Sequence, residues 1–228
     1  MKKPVVDYRQ FRLSKINDPQ FSHLKLLLGW VGYFILYVLT EKLIPAENCH
    51  VIYSPLDDRI PFCEVFVLFY VGWYLLIVIS LLYFLLYNVE SFKKLQTFII
   101  LTQIIAMMVY ILYPSRQELR PAEFPRDNFL TRIVALLYSI DTNTGVFPSL
   151  HVAYSLAIAS VWTKERSVSL WWKLFVVVDV ILICLSTCFI KQHSVLDGFA
   201  ALAMCLVIEA VLYRKYWKDR VKTLTKKS

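Results

Sequence analysis

The chain has 228 residues, of which 58% are hydrophobic, 15% aromatic and 18% charged, with a formal charge of +8. A soluble domain carries roughly 25% charged residues, so an ordinary globular protein is excluded. The basic residues stand in tails and short loops, where they read as topology signals, so a nucleic-acid groove is excluded as well.

Residues 1–23 are polar and basic, and no short apolar core with a small-residue cleavage site follows, so a cleaved signal is not expected. Apolar runs follow at 24–43, 62–87, 95–113, 149–162, 167–190 and 195–213. Most approach the length of about 20 residues needed to cross a hydrocarbon core. The fourth is short, and 129–140 ahead of it is itself apolar. The expected organisation is a basic cytoplasmic tail over 1–23, a membrane catalytic domain over 24–213 and a second basic tail over 214–228. The expected fold class is all-α: a polytopic bundle of six transmembrane helices.

Orientation follows from lysine and arginine placement. With both termini cytoplasmic, the inner side carries eighteen of them and the outer side seven. The positive-inside rule therefore puts both termini in the cytoplasm, in agreement with an even number of spans. Four of the outer seven, Arg116, Arg120, Arg126 and Arg132, fall between the third and fourth runs beside Pro114, Pro121 and Pro125.

Three short segments lie at this outer face although they are far apart in sequence: 113–121 (YPSRQELRP), 145–152 (GVFPSLHV) and 186–197 (STCFIKQHSVLD). Phosphoryl transfer calls for an in-line nucleophile, a proton for the leaving oxygen and positive charge around the equatorial oxygens. Two histidines, neutral or protonated near pH 7, can share the first two tasks. Arginine grips phosphate through its planar fork. Pro148 reads as the first residue of a helix whose free amides, with the Ser149 hydroxyl, make an anion site. Asp197 follows His193 by four residues, so the two share a helix face if the last helix has begun there.

In these segments the chain resembles the type-2 phosphatidic acid phosphatase superfamily of membrane lipid phosphatases and phosphotransferases, whose pattern is K-x6-R-P, then P-S-x-H, then S-R-x5-H-x3-D. The second motif matches in Pro148, Ser149 and His151, and the third in Ser186, His193 and Asp197. The first matches in Arg120 and Pro121, with Tyr113 where the family has lysine; Thr187 stands where it has arginine. The resemblance implies that His193 is the nucleophile and forms a phosphohistidine. It implies that His151 is the general acid, and that Asp197 orients His193. Arg120, Ser149, Ser186 and Lys191 would bind the phosphate; the role of Lys191, offsetting the missing arginine, comes from its place beside His193 and not from a family match. The leucine of P-S-L-H and the missing lysine are similar to the inositol phosphorylceramide synthase branch.

The expected activity is that of an integral-membrane lipid phosphatase or phosphotransferase, with its site on the non-cytoplasmic face of the cell membrane. Its expected partners are the bilayer and a phosphate-bearing lipid. The acceptor stays open between water and an alcohol, as in a headgroup transferase. No cofactor or metal is expected: no Asp/Glu/His cluster and no C-x-x-C spacing appears. A six-helix transporter that binds phosphate without turning it over is the alternative of another class, against which stand the missing inverted repeat and the missing Gly- or Pro-broken helix pair. An inactive member of the family, lacking two motif cations, is a third possibility.

Cys184, Cys188 and Cys205 read as small buried side chains. Cys49 and Cys63 share one outer loop and can pair in an oxidising compartment. Asp179 and Glu209 stand inside spans, where a charge costs roughly 2.5–3.5 kcal/mol on insertion scales; a polar contact between the last two helices is expected of them.

Overall fold

The computed structural model describes residues 3–218; residues 1–2 and most of the second basic tail, 219–228, lie outside the described residues. The chain is a helical bundle built of α1 (Leu28–Leu43), α3 (Val67–Tyr87), α4 (Val89–Leu112), α6 (Leu150–Lys164), α7 (Leu170–Phe189) and α8 (Val195–Leu212), with α2 (Pro55–Arg59) and α5 (Phe129–Ile140) in the loops. These segments are rich in large apolar residues, and the starts of α4 to α8 are marked by capping side chains. Asn88, Asn128, Ser149, Ser169 and Ser194 each accept a hydrogen bond from a backbone amide of the first turn, the donors an α-helix leaves unpaired.

Among the described residues, five helical segments are long and apolar enough to cross a membrane: Ser22–Leu43, Glu64–Tyr87, Val89–Leu112, Leu170–Phe189 and Val195–Leu212. Their outward faces stay apolar, with Phe34, Leu75, Ile181 and Val207 all exposed, as suits a lipid-facing surface. The third expected run starts earlier than its apolar stretch suggests, because Asn88 caps α4 ahead of the charged turn that holds Glu90, Lys93 and Lys94.

The fourth run is different. It forms α6, whose 15 residues span roughly 22 Å at 1.5 Å per residue. This helix is the centre of the bundle, packed against α3, α4, α7 and α8. Its Trp162 is buried against Tyr83, Phe84 and Trp172, and the indole N–H donates to Ser80 Oγ at 2.9 Å. A buried indole usually finds such a partner.

The two ends of the bundle are distinct. At one end the N-terminal segment docks on the end of α3, where the Tyr8 hydroxyl donates to the Leu85 carbonyl at 2.8 Å. At the other end, short strands β1 (His50–Val51) and β2 (Ser115–Arg116) pair in parallel, with His50 opposite Ser115. A bridge from Arg116 to Thr144 adds the loop before α6. Helix α5 lies at this end: Val134 is buried with Val67, Tyr70 and Ile190 in a second small core, while Phe129, Leu136 and Ile140 are exposed.

Three expectations change here. Pro148 precedes the helix and Ser149 is the N-cap, so α6 starts at Leu150. Cys49 and Cys63 are both free thiols. Glu209 pairs with α6 and not with α7: its carboxylate lies 2.7 Å from Lys164 Nζ and accepts from Ser160 Oγ at 2.6 Å. Ser160 and Lys164 are one turn apart and face Glu209 together, whereas Asp179 is itself an acid and brings it no cation.

Candidate active site

The three motifs meet at the end of the bundle that carries α5. The amide of Ser149 donates to the Asp197 carbonyl at 3.1 Å, which ties the second motif to the third. Arg120 Nη2 donates to Gln192 Oε1 at 2.6 Å, which ties the first to the third. The rings of His151 and His193 then lie with centroids 6.0 Å apart.

His193 stands in the turn between α7 and α8. Helix α7 ends where the amides of Gln192 and His193 both donate to the Thr187 carbonyl, at 2.9 and 3.0 Å. Lys191 takes a left-handed conformation, φ 55°, to make that reversal. Helix α8 starts with a capping box, in which Ser194 and Asp197 each cap the other's backbone. Asp197 is fully buried, and its Oδ2 accepts from the Ser194 amide and lies 3.0 Å from His193 Nδ1. Nδ1 is the ring nitrogen so engaged. Asp197 Oδ1 is buried without a partner.

His151 sits in the first turn of α6, where the helix supplies no carbonyl for the leading amides. Its ring stacks on Tyr70 at 4.2 Å and lies against Trp73 at 4.0 Å between centroids. Its Nε2 is buried and has no hydrogen-bond partner. Ser149 is fully buried, and its hydroxyl accepts from the Val152 amide at 3.4 Å.

The remaining expected phosphate ligands are held elsewhere. Arg120 Nη1 donates to the Tyr138 carbonyl at 3.1 Å, and Nη2 donates to the carbonyls of Asp141 and Thr142 at 2.8 and 2.9 Å. Only its Nε is buried and unpartnered. Burial pulls this guanidinium below its ordinary pKa, with Asp141 pulling the other way. Lys191 Nζ donates to the carbonyls of Asp57 and Ile60 at 2.7 and 2.5 Å, capping the end of α2. The Ser186 hydroxyl donates to the Ile183 carbonyl of its own helix at 2.6 Å. Tyr113, at the position of the family's lysine, stacks on His50 with centroids 4.3 Å apart.

Two acidic residues of the site escaped sequence reasoning. Asp57 is buried; its Oδ2 accepts from Ser194 Oγ at 2.6 Å and its Oδ1 from the Val195 amide at 2.9 Å. Ser54-Pro55 followed by Asp57 is a legible capping box, but its second use is visible only in the fold. Asp141, at the end of α5, accepts from the Tyr70 hydroxyl at 3.1 Å and from Gln192 Nε2 at 3.4 Å, both at Oδ2. Burial raises its carboxyl above the ordinary value, while His193, Tyr70 and Arg120 lower it.

Comparison with family models, characterised proteins and solved structures finds no match to this chain.

Proposed function

We propose that the chain is an integral-membrane phosphoryl-transfer enzyme of the type-2 phosphatidic acid phosphatase kind, acting on a lipid-linked phosphate. The observation that carries this reading is the pair of histidines, one in the first turn of α6 and one in the turn before α8, 6.0 Å apart by centroid, the second of them bound to a buried carboxylate at 3.0 Å.

In this reaction Asp197 fixes the tautomer of His193 and stabilises the imidazolium that develops. His193 Nε2 attacks phosphorus. His151 gives a proton to the leaving oxygen, and water or an alcohol then opens the phosphohistidine. The positive end of α6 and the guanidinium of Arg120 balance the charge that builds on the phosphoryl oxygens. On this reading α6 is the fourth of six spans, both termini are cytoplasmic, and the site opens at the non-cytoplasmic face of the cell membrane.

The test is release of phosphate or headgroup from a panel of phosphate-bearing lipids by detergent-purified protein with EDTA present, beside His193→Ala. Release by the wild type alone supports the histidine mechanism. Equal release by both proteins removes His193 from it. An acid-labile, base-stable phosphoprotein formed only by the wild type separates an enzyme from a transporter.

A further inference from the structure

Resting on the two-histidine reaction proposed above, we infer that the substrate is a singly charged phosphodiester whose headgroup offers a hydroxyl or ammonium proton to Asp141. A monoester phosphate carries up to two negative charges near pH 7 and needs uncommitted cations around it. The outer end of this bundle has few to give. Arg116, Arg126 and Arg132 pair with Glu118, Glu64 and Asp127. Lys191 donates to two carbonyls, and Arg120 to three carbonyls and Gln192, which leaves Nε as its one unpartnered buried donor among the described residues. Lys42 and Arg59 are exposed. Tyr113 and Thr187 add no charge.

Asp141 adds the opposite sign. It is one hydrogen bond from Tyr70, whose ring stacks on His151, and one from Gln192, the neighbour of His193. Both bonds use Oδ2, and Oδ1 takes no partner among the described residues. A carboxylate here repels a dianion more than a monoanion, and its free oxygen accepts a proton from a headgroup donor.

In the first step His193 Nε2 bonds to phosphorus while one ester P–O bond breaks, and its electron pair leaves on the oxygen, which takes a proton from His151. Water then bonds to phosphorus, its proton returns to His151, and the P–N bond breaks with its electron pair going back to Nε2. The products are one alcohol and one phosphate monoester.

The experiment compares phosphatidylglycerol, phosphatidylethanolamine, phosphatidylcholine and phosphatidic acid in detergent micelles with full-length wild type, Asp141→Asn, Asp141→Glu and His193→Ala. The expected wild-type kcat/KM is at least about tenfold higher for the glycerol or ethanolamine lipid than for phosphatidic acid or phosphatidylcholine. Asp141→Asn narrows that ratio about tenfold, and Asp141→Glu keeps it. Faster His193-dependent turnover of phosphatidic acid overturns the diester inference and leaves the histidine mechanism standing. An equal fall on every lipid in Asp141→Asn removes the headgroup contact. No His193-dependent turnover of any lipid overturns both proposals. The wild-type panel decides the diester question even if a variant does not fold.

Discussion

Asp57 holds Ser194 across 137 residues of sequence, through a 2.6 Å hydrogen bond between the carboxylate and the serine hydroxyl. The same carboxylate accepts from the Val195 amide, so a loop between the first two long helices fixes the start of α8 and, with it, the residue next to His193.

Asp57→Ala leaves the Ser194 hydroxyl and the amides of Ser54 and Val195 without their acceptor. A buried group so stranded costs about 1–3 kcal/mol. The expected result is a lowered Tm in detergent together with loss of phosphohistidine formation. An unchanged Tm contradicts the anchoring role.

Asp197→Asn keeps the size of the side chain and removes the charge beside His193 Nδ1. A loss of roughly 10²–10⁴ in turnover is expected, the usual worth of acid–base assistance. Rates close to those of the wild type exclude the carboxylate from the reaction.

His151→Gln separates proton donation from ring stacking. A leaving group that needs no proton, such as nitrophenolate, should lose little, while an alkyl leaving group loses about 10²–10⁴. Equal losses on both make His151 a packing residue against Tyr70 and Trp73.

Lys191 combines a left-handed backbone with an ammonium bound to two carbonyls. Both Lys191→Ala and Lys191→Gly lose the charged bonds, but glycine accepts the backbone more readily, by about 1 kcal/mol. Thermal unfolding should rank wild type above glycine and glycine above alanine. Alanine as stable as wild type shows that the tie contributes nothing.

Asp141 gives a pH dependence of known sign. Its folded pKa is raised by burial above the ordinary 3.8, so the folded state holds the proton more tightly than the unfolded chain. That contribution is fully present below the ordinary value and is lost as pH rises through the folded one. Asp141→Asn, which cannot ionise, should therefore gain in Tm relative to wild type as pH rises from about 4, levelling off above the folded value. A flat difference in Tm across that range removes the burial argument.

Much of the fold is written locally. The long apolar runs specify helices, and the Ser or Asn ahead of α4 to α8 marks where those start, because length, hydropathy and capping act between near neighbours. The expected helix face shared by His193 and Asp197 is not what joins them: α8 starts at Val195, His193 lies in the turn ahead of it, and the capping box at Ser194 turns the Asp197 carboxylate back to the ring. What the sequence could not carry is where the long side chains reach. Lys191 and Arg120 read as phosphate ligands, yet tertiary structure binds them to carbonyls in and just after α2 and α5. Asp57 and Asp141 carry no local mark of a role, yet packing buries the first and half-buries the second close to His193. Glu209 found Lys164 on α6 instead of a partner on α7. Pairings of this kind depend on which helices become neighbours, and a buried polar group takes whichever partner that packing brings within reach.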